Sequence, residues 1–190
     1  TGNRFSPPEM IDEVATFFLA GHETGASALA WALFLLAENP EWQDRLADEA
    51  ARHPAPDFAA VKSLSVARAV FREALRLYPP VAMTVRQCRR PEMLRDRHAP
   101  RGAQLVLSSW HLHRHQRLWN DPDVFDPGRW ETENGKTCAR EAYIPFSAGA
   151  RACPGAGFAM IEGPLILSAL ARAYRFEPGA TRPVPVMRLT

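Results

Sequence analysis

From Val14 to Ala37 apolar residues fall on nearly every face of a helix, and the one formal charge in the stretch is Glu23. A pattern of this kind belongs to a helix surrounded by other elements or to a membrane span. A carboxylate near the middle of a span costs about 3 kcal/mol, so the pattern predicts a buried central helix. Its start is written in Ser6-Pro7-Pro8-Glu9: Ser6 as N-cap, Pro7 in the first helical position and Glu9 closing a capping box. The next proline is Pro40, with Asn39 ahead of it as a cap for a second helix. One helix from Pro7 to Glu38 follows, about 48 Å long at 1.5 Å per residue. Inside it lies a polar island, Ala20-Gly21-His22-Glu23-Thr24. Gly21 costs about 1 kcal/mol in a helix interior but lets another group approach the backbone. Buried polar groups need partners, so the island is either a satisfied internal hydrogen bond or a ligand surface with Glu23 and Thr24 as a proton-relay pair. The pentad alone leaves both open.

The remaining punctuation predicts a second helix from Pro40 to about Arg52, ended by His53-Pro54. A third runs from about Leu64 to Leu77, stopped by Pro79-Pro80. Val81 to Cys88 and Gln104 to Ser108 read as strands, with Arg101-Gly102 in a turn before the second. Residues 118 to 145 are turn-rich. A last helix starts near Pro154 and runs to about Tyr174, and Val184-Pro185-Val186 reads as an edge strand or loop. The fold class is mainly α with small β-sheets, without internal repeats. At 190 residues one domain could bury about 70% of its unfolded surface without a disulfide or metal.

Composition narrows the function classes. A net charge of +2 gives no electrostatic case for nucleic acid. Seventeen Pro against eleven Gly imply stiff turns, and 21 Arg against 2 Lys suit fixed pairing with carboxylates. Cys88, Cys138 and Cys153 are odd in number, far apart and without a CxxC spacing, which argues against a disulfide framework or a zinc site and fits a reducing compartment.

The chemistry gathers around Cys153. With Pro154 read as the first helical residue, the thiol stands at or just before a helix N-terminus, where free amides and the dipole favour a thiolate. Gly149 permits a tight turn and Arg151 adds positive charge. Such a thiol can be a nucleophile, a redox group or a metal ligand. Glu73 and Arg76 are three apart on one helix face and can pair locally, worth about 0–1 kcal/mol if exposed.

Four segments carry a resemblance. Phe146-x-x-Gly149-x-Arg151-x-Cys153-x-Gly155 resembles the haem-binding loop of the cytochrome P450 family at every signature position. Glu73-Ala74-Leu75-Arg76 is similar to that family's Glu-x-x-Arg helix. Ala20-Gly21-His22-Glu23-Thr24 is similar to its oxygen-activation motif, although Gly25 stands where the family often has a second hydroxyl residue. Phe125-Asp126-Pro127-Gly128-Arg129-Trp130 is similar to its meander. The segments occur in family order across residues 20 to 155.

The resemblance implies the C-terminal part of the P450 fold, a haem-ligand portion over residues 1–190, with the N-terminal portion absent from this chain. The family's Trp-x-x-x-Arg helix belongs to that portion; Trp110 and Arg114 match it only literally and in another place. The implied cofactor is haem b, with Cys153 as axial iron ligand; in this chain alone the expectation is haem weakly held or absent, and little or no turnover. Phe146, Gly149 and Gly155 shape its proximal side, and Arg151 and Arg86 pair with propionates. His113 is read as a packed structural histidine. Glu73, Arg76 and Arg129 form a buried triad, while Gly21, Glu23 and Thr24 make room for dioxygen and manage protons. Ala20, Val81, Ala82 and Met83 line a small apolar organic substrate. The implied reaction is O2-dependent monooxygenation with electrons from a ferredoxin- or flavin-type reductase. Peroxide-dependent oxygenation and a truncated, non-catalytic fragment with an unassembled haem site are the alternatives. The expected setting is cytoplasmic, an anchor in the N-terminal portion staying open. Exposed apolar surface along the first helix, available for self-association, is the expected consequence of the missing half.

Overall fold

The computed structural model describes residues 5–54 and 58–186. Helix α1 spans Pro7–Glu38, and the Glu9 carboxylate accepts hydrogen bonds from the amide and hydroxyl of Ser6, each at 2.8 Å. Asn39 ends it and also stands as N-cap of α2 (Pro40–Arg52), so two helices meet at one residue. Helix α3 (Ser65–Leu77) is capped from outside its own sequence. The Glu49 carboxylate of α2 accepts from the amides of Val66 and Ala67 at 2.8 and 2.9 Å and from the Ser65 hydroxyl at 3.1 Å. A buried acid on free helix amides makes charge-assisted bonds and complements the dipole.

After Pro79-Pro80 come two nested antiparallel hairpins. Strand β1 (Met83–Gln87) pairs with β4 (Gln104–Ser108), Met83 opposite Ser108. Between them β2 (Glu92–Leu94) pairs with β3 (Arg97–Ala99). A short α4 (Ser109–Leu112), a 3-10 turn at Pro127–Glu131, α5 (Glu133–Glu141) and a final α6 (Ala156–Ala173) complete the order. The tail at Val184 and Val186 is loop.

The core lies where α1, α2, α3 and α6 meet. Ala28, Ala32, Leu35 and Leu36 of α1 pack with Leu46 of α2, Val70, Phe71, Ala74 and Leu75 of α3, and Leu167 of α6. Gln43 closes one side: its amide oxygen accepts from Phe176 N at 2.6 Å and its amide nitrogen donates to Phe176 O at 3.0 Å, pinning the chain after α6. A second cluster holds Trp119, Trp130, Cys138 and Ala142.

The buried central helix is corrected for its first half. From Phe5 to Thr24 every residue of the segment is exposed, including Ile11 at 69%, Phe18 at 69% and Leu19 at 69%. Only the end from Ala28 onward has neighbours enough to cover it. The chain as a whole exposes 13059 Å2, where a compact protein of 21.2 kDa exposes about 9,000 Å2. Four elements were not foreseen: a 3-10 turn at Ala59–Ser63, the β2–β3 hairpin, α4, and α5 within the stretch read as turns.

Candidate functional site

The best-organised polar cluster forms where α3 meets the segment 113–129. Glu73 and Arg76 are fully buried and Arg129 is 4% exposed. Their i, i+3 spacing on α3 gives a forked pair: Arg76 Nε to Glu73 Oε2 at 3.0 Å and Arg76 Nη2 to Oε1 at 2.8 Å. Arg129 Nε reaches the same Oε1 at 2.8 Å, and the Asp126 amide adds a bond at 3.1 Å. Two guanidiniums share one carboxylate, leaving net positive charge in a dry place. Backbone carbonyls take it up. Arg76 donates its other protons to the carbonyls of His113, Pro122 and Val124. Arg129 donates to those of Asn120, Asp121 and Val124. All five Arg76 N–H groups are thereby used, which a lysine could not do. The cluster clamps the irregular chain from His113 to Arg129 onto α3.

His113 extends this clamp. The ring is completely buried, with Nδ1 at 3.2 Å from Arg76 O and Nε2 accepting from Ile144 N at 2.9 Å. Burial, and the neighbouring Arg76 and Arg114 cations, push its pKa down to about 4. This fits the packed structural histidine read from the sequence. The tie to Ile144 was not read, because it joins residues 31 positions apart with no local pattern.

Ile144 leads into the Cys153 loop. Ser147 N donates to Ile144 O at 3.1 Å, and Cys153 N donates to Phe146 O at 2.8 Å, closing the loop at its neck. Phe146 packs against the main core. Two residues are left-handed, Gly149 at φ +72° and Ser147 at φ +60°. Ser147→Gly relieves about 1–2 kcal/mol of left-handed strain against about 0.4–1 kcal/mol of added unfolded-state entropy. Its expected outcome in a denaturant titration is a gain of about 0.5–1 kcal/mol.

Cys153 stands just before the last helix, as read from the sequence, but the first helical residue is Ala156 and not Pro154. Gly155, at φ −85° and ψ 2°, is the N-cap of α6, and Ala156 N lies 3.4 Å from Cys153 O. Cys153 to Ala156 form a type I turn with proline in its favoured second position. The thiol therefore stands one turn ahead of the helix. It is free and exposed, and a Cβ added at Gly155 would sit 3.8 Å from its sulfur.

The polar island of α1 is open. Thr24 is exposed and its hydroxyl donates to Ala20 O at 2.7 Å; Glu23 is exposed and makes no hydrogen bond or ion pair among the described residues. Nothing lies within 4 Å of a Cβ added at Gly21 or Gly25. Facing this stretch across a cleft of about 410 Å3 are Phe158, Glu162 and Ile166 of α6, with Phe18, Gly21, Gly25 and Leu29 on the α1 side. Arg151 is exposed, and half-buried Arg86 bonds only its neighbour's carbonyl, Val85 O at 3.0 Å. Val81, Ala82 and Met83 lie at the start of the β1–β4 hairpin, tied by Ser109 Oγ to Val81 O at 2.8 Å.

These residues fit a haem. No His/Cys/Asp/Glu group among the described residues could hold a metal ion by itself, so the one exposed thiol would act as a single soft ligand. The cleft between α1 and α6 is mainly apolar, walled by Phe18, Leu29 and Phe158 with His22 and Glu162 also in its lining, and suits a flat, largely apolar ring.

The family described as Cytochrome P450 matches residues 1–189. Cyclooctatin synthase from Streptomyces melanosporofaciens is 41% identical across the whole chain, which covers 43% of that protein. Mouse cytochrome P450 4X1 is 38% identical over 94% of the chain and 36% of the relative. Among solved structures, a six-coordinate cytochrome P450 from Thermus thermophilus superposes with a TM-score of 0.74 at 36% identity, over 92% of this chain and 44% of that one. The haem domain of a cytochrome P450DA mutant gives 0.83 at 35% identity, over 90% and 39%. The chain thus spans about two fifths of the relatives it matches.

Proposed function

The chain belongs to the cytochrome P450 family, and we propose that it is the C-terminal, haem-ligand portion of a haem-thiolate monooxygenase. One observation carries this reading above the others. The exposed Cys153 thiol sits on a closed loop whose root is tied, through Ile144 and His113, to the buried Glu73–Arg76–Arg129 cluster. Relatives named as a cyclooctat-9-en-7-ol 5-monooxygenase and a leukotriene-B4 omega-hydroxylase support oxygen insertion into a small apolar organic substrate.

Haem b, when bound, supplies the redox chemistry that activates O2, with electrons from a ferredoxin- or flavin-type reductase. Cys153 would hold its iron, with Phe146, Gly149 and Gly155 shaping the loop around the sulfur and Arg151 and Arg86 free to pair with propionates. On the α1 side, Gly21 leaves room at the backbone. Thr24 keeps its hydroxyl proton on Ala20 O and must release that carbonyl to pass the proton on; Glu23, unpaired beside it, can resupply one. Ala20, Val81, Ala82 and Met83 would wall the substrate. The apolar face of α1 would be covered by the family's N-terminal portion or, without it, by self-association. A cytoplasmic setting fits this chain. Helix α6 is the one described helix long and apolar enough to span a membrane, and it packs on α1, α2 and α3.

The test is the reduced, CO-bound spectrum of the haem-loaded protein. A thiolate-type Soret band that Cys153→Ser abolishes is expected. A histidine-type band, or a band indifferent to that substitution, would sink the proposal.

A further inference from the structure

Between the buried ion cluster and the Cys153 loop stands one side chain. The Arg76 carbonyl can only accept, so His113 Nδ1, 3.2 Å away, carries the ring proton. The Ile144 amide can only donate, so Nε2, 2.9 Å away, presents its lone pair. These two partners fix the neutral tautomer with the proton on Nδ1. The backbone of His113 is held independently, its carbonyl taking Arg76 Nη1 at 2.8 Å and its amide donating to Ser109 O at 2.8 Å. The ring therefore has a fixed base from which to hold Ile144. From Ile144 two further bonds lead to the thiol: Ser147 N to Ile144 O at 3.1 Å and Cys153 N to Phe146 O at 2.8 Å.

We infer that His113 is a positioning residue for the Cys153 loop, a latch that fixes the loop's root to the ion cluster while the ring is neutral and lets it go when the ring is protonated. The inference rests on the reading of Cys153 as iron ligand. Protonation places a second N–H on Nε2, facing the Ile144 N–H, and two donors cannot share that contact. It also adds a cation beside Arg76 and Arg114, whose carboxylates are already engaged: Glu73 by the guanidiniums of Arg76 and Arg129, and the exposed Asp123 by Arg114 at 3.4 Å. Tyr143, whose ring centroid is 5.4 Å from that of His113, offers no negative charge to offset it, burial holding its phenol neutral. Burial and the two arginines hold the ring neutral down to a pKa of about 4, below the ordinary value near 6.5. The sign follows: the unfolded or released ring binds the proton first, so the latch weakens as pH falls from about 6.5 and is spent below about 4.

Two substitutions separate the latch from a merely space-filling histidine. His113→Gln places an amide oxygen where Nε2 sits and keeps the Ile144 bond, but does not titrate. His113→Asn places its amide where Nδ1 sits, keeps the Arg76 side and cannot reach Ile144. The experiment uses the haem-loaded protein, following amide exchange (corrected for intrinsic rates) and the reduced CO spectrum across pH. In the wild type, exchange at Ile144 and Cys153 should accelerate in step with loss of the thiolate-type band in acid. His113→Asn should lower protection of both amides about five- to tenfold at neutral pH, the effect of one hydrogen bond, while Leu167 in α6 is unchanged. His113→Gln should keep neutral-pH protection and move the acid loss down by about one pH unit or more. Equal behaviour of the two variants, or release of Ile144 without Cys153, would overturn the inference. If His113→Asn does not fold, the pH shift in His113→Gln decides alone. Exchange at Ile144 does not depend on the iron ligand, so a CO spectrum indifferent to Cys153→Ser would remove the ligand reading while leaving the exchange result intact.

Discussion

Glu73→Ala is expected to lower stability by about 3–5 kcal/mol, the cost of leaving buried charge without its partner. The carboxylate it removes takes three guanidinium bonds and one amide bond, all in a fully buried position. Without it, Arg76 and Arg129 face each other as like charges, sharing only carbonyls. Typical domains hold about 5–15 kcal/mol in all, so the variant should sit close to unfolding at ambient temperature. The chain contains its own control. Arg90 and Glu92 also meet at 2.8 Å, but with side chains 83% and 45% exposed; Glu92→Ala should cost less than about 1 kcal/mol. Denaturant midpoints of the two variants give the comparison directly. Similar shifts in both would mean that the buried cluster is no stronger than a surface pair. Because Arg76 and Arg129 hold the carbonyls of residues 113 to 124, Glu73→Ala should also loosen His113 and with it the neck of the Cys153 loop.

Local chemistry in the sequence reached far along this chain, and stopped where partners are distant. The caps at Ser6, Asn39 and Pro40 and the stop at Pro79-Pro80 set α1, α2 and the end of α3 because each signal acts within one helical turn. The four motifs named candidate residues because each is a short contiguous pattern, and the Glu73–Arg76–Arg129 cluster is the part whose contacts the structure displays. The exposed apolar face of α1 was expected from the resemblance and not from periodicity. An all-apolar helix demands cover, but periodicity does not say whether cover is present, and here the described residues cover only its last third. Helix α5 escaped notice because its sequence is polar and contains Gly135. What makes it a helix is the Thr132 cap, accepting from Gly135 N at 3.0 Å, and the anchoring of Cys138 Sγ on Leu118 O at 3.1 Å. Gly135 itself is required because a Cβ there would land on the Arg129 carbonyl. The β2–β3 hairpin is too short and too exposed to show alternation. Pro154 misled because its fixed φ serves the second position of a turn as well as the first of a helix.

Gly163→Ala is the second large effect, and it bears on how α6 is held behind the thiol. Glycine inside a helix normally costs about 1 kcal/mol relative to alanine, so on propensity alone the substitution would stabilise. The packing reverses the sign. Gly163 lies against Phe71 of α3, and an added Cβ would come to 2.5 Å from ring Cε2 and 2.6 Å from Cε1, far inside contact distance. The ring is 2% exposed and part of the main core, so it cannot step aside into solvent. Overpacking of this kind costs about 1–3 kcal/mol, occasionally more, and contact with several ring atoms puts this site at the upper end. The expected net loss is about 2 kcal/mol after the helix gain is set against it. A double-mutant cycle isolates the clash. Phe71→Leu alone leaves a partial cavity and should destabilise, but in the Gly163→Ala background the new methyl occupies part of that space. The two changes together should therefore cost less than their sum, by about 1–3 kcal/mol of coupling. Additive losses would mean that α3 and α6 part to admit the methyl. In that case the start of α6, one turn after Cys153, should move as well, and the reduced CO spectrum of the single variant would show it.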